Sequence, residues 1–433
     1  MSSTRTLLRR WLASHRGSVR DRGIKLQSAM TLLFSGMAAS LVGSLAASAL
    51  GALVQILVVR QLGTLLYGEY ATLTATLAII ASLLGIGLDT WTLHDGSRDP
   101  QHLIRNVWHV LLLKAIGAAI LLVLLTVAWS AHIVQTPVFV VGIIGIICDS
   151  FTMTGYSALR ALKRYNHVAV VQVISPILLL AALWGLQYAP ANVLLIFIAQ
   201  AISSLIIAAI LISHVFRLCG SPAGLRIDLR YAVGGAWLFV ASDLFSSIYT
   251  QSSVSILGNT VGADAVGIFR PALNVLIFLF LPLSLIFLVG LPLLNDPSLT
   301  RSRIRALVAA MAGMAGVYGV AAGIGLIFFA DLLIRLLYGD VFAAAADLLQ
   351  QMWFIPLLKG ASLVSAAVML AHGGLRIRTT LQLLIAIGSL IGGWLLIPTG
   401  GVGGALSVYT GVEICVCISY VITALFLLQR APR

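Results

Sequence analysis

Charged residues are scarce in this chain. Asp, Glu, Lys and Arg make up 9% of its 433 residues, whereas hydrophobic residues make up 60%, and the mean hydropathy is +1.04. A soluble globular domain carries about 25% charged residues, so the composition excludes that class and predicts an all-α, polytopic membrane protein. Long polar segments are also missing, because the longest are roughly the first 27 residues and the connection around residues 218–230.

Cysteine is rare, and no nucleotide-binding glycine loop is present. The four cysteines, Cys148, Cys219, Cys415 and Cys417, lie in or beside apolar runs and look like small hydrophobic residues, not like a metal site or a disulfide framework. No G-x4-G-K-[ST] motif occurs, so the chain carries no Walker-A ATPase of its own. We therefore expect no cofactor, no metal and no nucleic-acid partner.

Apolar runs long enough to cross a bilayer, which takes about 20 residues, occur about twelve times. They lie near residues 33–59, 70–93, 107–129, 134–159, 167–188, 190–213, 232–257, 267–294, 304–330, 342–371, 376–398 and 401–429. Because so many runs follow the first one, the basic residues 1–32 are predicted to be a cytoplasmic tail and not a signal peptide.

The basic residues predict how these spans are oriented. With the N-terminus inside, 22 of the 27 Lys and Arg residues fall in cytoplasmic connections or tails, as the positive-inside rule requires. Only Arg60 and Arg335 fall in connections on the other side. The alternation predicts twelve helices with both termini in the cytoplasm.

A repeated motif predicts that the chain consists of two similar halves. Residues 62–73 (LGTLLYGEYATL) and 261–273 (VGADAVGIFRPAL) match at an offset of 199 residues, and the paired positions include Gly63 with Gly262, Gly68 with Gly267, and Ala71 with Arg270. Each copy joins two long apolar segments through a glycine-bounded turn. We expect six-helix bundles over residues 33–220 and 221–433, arranged around a central cavity.

Five of the charged residues in the predicted spans are candidates for positions near the bilayer centre: Lys114, Asp149, Asp243, Lys359 and Glu413. A charge near the bilayer centre costs about 2.5–3.5 kcal/mol on insertion scales, so these side chains should face the protein interior or water. The two lysines are candidate ligands for a phosphate, and the three carboxylates are candidates for lining the cavity or coupling to a cation. The alternative is pairing between helices, for example Lys114 with Asp149 or Asp243 with Lys359.

A second candidate phosphate site follows the repeated motif. Arg270 and Asn274 are one helical turn apart, and Pro271 suits the first position of a helix. A helix N-terminus with an arginine beside it is a place for phosphate oxygens. The alternative is an arginine that extends to the membrane interface.

Polar faces on the spans predict a hydroxyl-lined space. In the seventh span Asp243, Ser246 and Thr250 recur at helical spacing, and Glu413 belongs to a similar face of the twelfth. Such a space suits a glycan. Hydroxyl groups that bond to their own helix or to a neighbouring helix explain the same pattern.

Several longer motifs carry a family resemblance. RQLGTLLYGEYATL, GIGLDTW, LGNTVGADAVGIFRPALN, YGDVFAAAADLLQQM and LIPTGGVGGALSV occur in this order, and with this order and spacing the chain resembles the polysaccharide flippases of the multidrug/oligosaccharidyl-lipid/polysaccharide exporter superfamily. The similarity runs from about residue 33 to the end. Relatives that flip a peptidoglycan precursor carry several cavity arginines, and only Arg270 occupies a comparable place here.

The resemblance implies a function and a location. It implies alternating access, with translocation of a polyprenyl-pyrophosphate-linked oligosaccharide across the bacterial inner membrane for surface polysaccharide synthesis. Its implied partners are membrane lipids, a polysaccharide polymerase and chain-length machinery. A multidrug or small-solute antiporter of the same superfamily is the alternative, and a membrane-embedded polymerase or acyltransferase would need a larger outer loop or a clustered catalytic motif. We therefore expect a transporter and not an enzyme.

Overall fold

Helices account for almost every residue that the structure describes. In the computed structural model the backbone is described for residues 3–96, 100–131, 136–162, 164–186, 188, 190–219, 229–294 and 301–430, and side chains are described within these ranges from residue 43 onward, apart from residues 86, 231, 232 and 292 and some range edges. The side chains of the predicted basic tail, residues 1–32, lie outside this description. The expected division near residue 220 falls within residues 220–228, which also lie outside it.

The described chain forms twelve α-helices in sequence. In the first half these are α1 (Ser3–Leu83), α2 (Ile86–Gly96), α3 (Pro100–Ser130), α4 (Pro137–Ala161), α5 (Tyr165–Leu186) and α6 (Val193–Cys219). In the second half they are α7 (Leu229–Thr260), α8 (Ala263–Leu294), α9 (Arg301–Tyr338), a 3-10 turn (Asp340–Phe342), α10 (Ala344–Gln351), α11 (Ile355–Ala371) and α12 (Leu375–Arg430).

These helices correspond to about twelve membrane spans. Among the described residues, eight helices are long and apolar enough to cross a membrane, or nine if α10 and α11, which meet at a 50° bend, form one span. Two of the eight, α1 and α12, contain a non-helical glycine, Gly63 and Gly401, and each is long enough for two spans of about 20 residues. Helix α7 has 32 residues, and its polar face lowers its hydropathy. The predicted all-α fold is therefore confirmed.

Glycine breaks the helices where the repeated motif predicted turns. Gly63 has φ of 69° and ψ of −175°, so α1 consists of two helical segments that meet there. Gly262 lies between α7 and α8 with φ of 130°. Positive φ is accessible to glycine without the steric penalty that other residues meet. We call the end of the molecule that carries these two turns the hairpin end.

The two halves are in direct backbone contact at the hairpin end. A Cβ atom added at Gly68 would lie 1.8 Å from the carbonyl oxygen of Ala263, and one added at Gly267 would lie 2.1 Å from that of Thr64. These distances leave no room for a side chain. The glycines that the repeat placed in equivalent positions therefore bring the two turns together.

Helix α7 packs along the second segment of α1 and then along α2. Thr76 Oγ1 and Ser255 Oγ are 2.8 Å apart, and a Cβ at Gly87 would lie 2.3 Å from the backbone nitrogen of Val240. A Cβ at Gly235 would lie 2.7 Å from Trp91 Nε1. Residue numbers rise along one partner as they fall along the other, so the two halves share a long antiparallel contact.

Candidate functional site

Arg270 lies inside the protein, on the face of α8 that meets α7. Its side chain is partly buried, and its Nη1 donates to Oε1 of Gln251 at 3.2 Å. Helix α8 begins at Ala263, two turns before Arg270, so the expected helix N-terminus at Pro271 is wrong. The hydrogen-bond partner of Arg270 belongs to the neighbouring helix α7, and the alternative of an arginine that extends to the membrane interface stays a prediction.

Asn274 connects the same face to the other half of the chain. It is 5% exposed, and its Nδ2 donates to the hydroxyl oxygen of Tyr67 at 2.8 Å. Tyr67 is itself buried and close enough to Arg270 to interact with its charge. The second segment of α1 thus contributes a buried tyrosine to the arginine site, which the sequence did not predict.

Lys359 and Glu413 form an ion pair within the second half. Lys359 Nζ lies 2.8 Å from Glu413 Oε1 and 5.3 Å from the ring centre of Phe280. Glu413 is 2% exposed, and within the described structure its Oε2 has no hydrogen-bond partner. The pair is neutral overall, so Lys359 offers less free charge to a ligand than the sequence suggested.

Tyr409 joins the arginine to the ion pair. It is buried, its ring lies edge-on to Phe269 at 6.5 Å, and it is close enough to interact with the charges of Arg270, Lys359 and Glu413. We call Arg270, Asn274, Lys359, Tyr67 and Tyr409 the cationic cluster. Its members belong to α8, α11, α12 and the second segment of α1, and among these helices it is α8 that packs on both α1 and α11.

Lys114 does not belong to this cluster. Its Nζ lies 2.6 Å from Asp89 Oδ2 and 2.7 Å from the carbonyl oxygen of Ser150, and its side chain is 1% exposed. Thr154 donates to the other oxygen of Asp89 at 2.8 Å. The ammonium group of Lys114 is therefore not accessible to a phosphate, as the expected role would require. The suggested pairing of Lys114 with Asp149 is wrong.

The two remaining carboxylates have different surroundings. Asp149 on α4 is exposed, and its Oδ1 accepts a hydrogen bond from Ser204 at 2.6 Å. Asp243 on α7 is partly buried and interacts with the charges of Arg378 and Asp89. Lys359, suggested as the partner of Asp243, is engaged with Glu413 instead.

The hydroxyl face of α7 is only partly available to a ligand. Thr250 Oγ1 donates to the carbonyl oxygen of Ser246 at 2.8 Å, within its own helix, as the alternative interpretation required. Ser246 Oγ donates to the hydroxyl of Tyr249 at 3.3 Å. Ser246 and Thr250 are both partly buried.

A cavity of about 440 Å³ lies within the first half. Its polar lining comes from α1, α4, α5 and α6 and consists of Gln55, Tyr70, Thr74, Asp149, Ser150, Ser175, Gln200, Ser203 and Ser204. Of these, the sequence had suggested only Asp149. The signal for the others is weak, since single Ser and Gln residues in a span are common at ordinary helix contacts.

The fold defines an all-helical, polytopic membrane protein with charged and polar side chains in its interior. The family model described as "Polysaccharide biosynthesis protein" matches residues 33–296. Because the match spans more than half of the chain, the chain belongs to this family.

Solved structures agree with this fold at low sequence identity. The lipid II flippase MurJ in an inward closed conformation superposes with a TM-score of 0.71 at 11% identity, covering 88% of this chain and 86% of that one. A multidrug resistance MATE family transporter of the MOP superfamily, in an outward-facing conformation, gives 0.65 at 14% identity, covering 92% and 95%. A MOP superfamily transporter from Pyrococcus furiosus gives 0.59 at 16% identity, covering 92% and 93%. No curated protein matches this chain.

Proposed function

We propose that this protein is a flippase that moves a polyprenyl-pyrophosphate-linked oligosaccharide across the bacterial inner membrane by alternating access, for surface polysaccharide synthesis. The observation that carries the proposal is the cationic cluster. It brings Arg270 close to Tyr67, a buried tyrosine of the other half, and both Arg270 and Lys359 close to Tyr409, at the interface where a transporter of two repeats binds its substrate.

The chemistry of the cluster suits a pyrophosphate. The guanidinium of Arg270 is bonded to a neutral amide and not to a carboxylate, and its paired N–H donors match the oxygens of a phosphate. Lys359 adds a second cation once Glu413 releases it. While the pyrophosphate is bound in the cluster, the polyprenyl tail extends through a gap between the halves and stays in the lipid.

Alternating access is supported by the way the halves meet. Backbone contact between the two turns closes the hairpin end, and Arg60 of α1 donates to the carbonyl oxygens of Leu336 and Leu337 at the end of α9. An inside-negative potential favours outward movement of a negative charge by about 2.3 kcal/mol per 100 mV. Export of a pyrophosphate therefore needs no ATP site.

The charge distribution orients the proposed cycle. The basic connections and both termini lie in the cytoplasm, and the hairpin end faces outward. The partners in this proposal are the lipid-linked oligosaccharide, membrane lipids, a polysaccharide polymerase and chain-length machinery.

The test is translocation in proteoliposomes of a fluorescent polyprenyl-pyrophosphate oligosaccharide, followed by quenching with a membrane-impermeant reductant. Arg270→Ala should lower the initial rate at least about tenfold, the loss expected for one hydrogen bond to a charged group. The rate of Arg270→Lys should lie between those of the wild type and Arg270→Ala, since lysine retains the charge but cannot form the paired hydrogen bonds of a guanidinium. Arg305→Ala, an exposed arginine of α9, is the matched control. Wild-type rates in an Arg270→Ala, Lys359→Ala double variant would contradict the proposal.

A multidrug or small-solute antiporter is the second candidate, favoured by one observation. The cavity of the first half contains an exposed carboxylate, Asp149, which is chemistry that suits an organic cation. Drug-resistance assays in cells that express the protein distinguish this candidate from the flippase.

A further inference from the structure

The cavity of the first half is lined by neutral polar groups and one carboxylate. Ser150, Ser175, Ser203 and Ser204 supply hydroxyl groups, Gln55 and Gln200 supply amides, and Asp149 supplies a carboxylate. Among the described residues that line it there is no Lys or Arg. Lys114 donates to the backbone carbonyl of Ser150, a lining residue, and its charge is compensated by Asp89 at 2.6 Å.

The cavity also contains an aromatic wall. The rings of Tyr70 and Phe197 are 5.3 Å apart, and Gln200 Nε2 donates to the hydroxyl of Tyr70 at 2.6 Å. Hydroxyl, amide and carboxylate groups beside an aromatic face can bond to the ring hydroxyls of a sugar while covering its apolar face. The volume of about 440 Å³ lies in the range of small-molecule sites, roughly 300–1,000 Å³.

The cavity and the cationic cluster are neighbours through two tyrosines. The ring centres of Tyr70, in the cavity wall, and Tyr67, in the cluster, are 6.0 Å apart. Both belong to the second segment of α1. The two sites therefore lie on either side of one tyrosine pair, close enough for the two ends of a single ligand to contact both.

We propose that the cavity of the first half binds the sugars that adjoin the pyrophosphate, and that it accepts neutral or amino sugars and rejects sugar acids. This inference rests on the proposed function and adds the substrate class to it. A uronate would bring a second carboxylate to Asp149 in a cavity whose lining offers it no cation. A neutral sugar instead donates its hydroxyl hydrogens to Asp149, which accepts them in place of, or beside, the Ser204 hydroxyl.

The test compares three soluble probes by affinity for the purified protein in detergent. They are farnesyl pyrophosphate, farnesyl-pyrophosphoryl-N-acetylglucosamine and farnesyl-pyrophosphoryl-glucuronate. In the wild type the neutral sugar should raise affinity about tenfold over the probe without sugar, and the uronate should not. This comparison needs no variant, so it stands even if a substitution impairs folding.

Variants then locate the effect. Asp149→Asn should reduce the difference between the two sugars at least about fivefold, and Ser204→Ala should weaken the neutral-sugar probe alone. Affinity for farnesyl pyrophosphate should stay unchanged in both. Ser213→Ala is the matched control, because this serine is on the same helix as Ser204 and bonds within its own helix to Ile210.

The outcomes separate the two proposals. Equal affinity for all three probes, or a sugar preference that Asp149→Asn leaves intact, would overturn the sugar site while leaving the flippase standing. Failure of all three probes to bind would overturn the flippase and this inference with it. Binding of tetraphenylphosphonium that depends on Asp149, without a sugar effect, would assign the cavity to organic cations instead.

Discussion

At the scale of single residues, the two cations of the cluster are not equivalent. Arg270 is bonded to a neutral amide, whereas Lys359 is paired with a buried carboxylate. A buried charge left without its partner is strongly destabilising. Arg270 is therefore the cation available for binding, and Lys359 also serves the stability of the second half.

Removing one partner of the Lys359–Glu413 pair should destabilise the protein. Lys359→Met leaves the Glu413 carboxyl group without its partner in a site where it is 2% exposed, and breaking a buried pair in this way costs about 3–5 kcal/mol. The double variant Lys359→Met, Glu413→Leu should recover most of that loss. The measurement is the midpoint of thermal unfolding in detergent. If the double variant is less stable than Lys359→Met alone, the pair is not a unit.

The sequence identified some of the charges that lie in the spans but not their partners. Lys114 pairs with Asp89 on α2, which had not been considered, and not with the suggested Asp149. Asp89 and Asp149 each lie in an apolar span, and hydropathy does not show which of the two pairs with Lys114. Only the packing of α2 against α3 and α4 decides between them.

At the scale of helices, glycines control how closely the two halves approach. Gly267→Ala should push the turns apart, because its Cβ would lie 2.1 Å from a backbone oxygen that cannot rotate away. We expect a loss of about 1–3 kcal/mol of stability, as for other overpacked contacts. Gly313→Ala on α9, where the added Cβ meets nothing within 4 Å, is the control. An unchanged unfolding midpoint for Gly267→Ala would argue against a tight contact in the membrane.

Asp243 tests whether a charge holds α7 to α12. Its neighbour Arg378 lies near the start of α12, so Asp243→Asn should lower the amount of protein in the membrane, and adding Arg378→Gln should restore it. Quantitative blotting of membrane fractions measures this. Normal abundance of Asp243→Asn, with export that no longer responds to external pH or sodium, would instead identify Asp243 as a coupling site.

The helices themselves were well predicted, because long apolar runs and the repeated glycine motif are local signals. The start of α8 was not. Arg270 and Pro271 look like the beginning of a helix, yet α8 starts at Ala263 and continues through the proline. The apolar surroundings decide this, since a helix keeps its remaining backbone groups bonded where water is absent.

At the scale of the whole molecule, the charge distribution predicts a topology. A reporter fused after Gly262 should be active outside the cell, and one fused after Arg303 should be active in the cytoplasm. Alkaline phosphatase and green fluorescent protein fusions report the two locations. A reversed result at either position would contradict the two-bundle arrangement.

We expect the long contact between α7 and the first half to act as a rotation axis in the proposed alternating-access cycle. Along the continuous helix α7 it runs from Gly258 beside Thr72 to Gly235 beside Trp91, which at 1.5 Å per residue is about 35 Å, enough to cross the hydrocarbon core of about 30 Å. Two rigid bodies that are in contact along one line can rotate about that line. The lipid tail of a substrate then has to pass on the side of the molecule that faces away from α7.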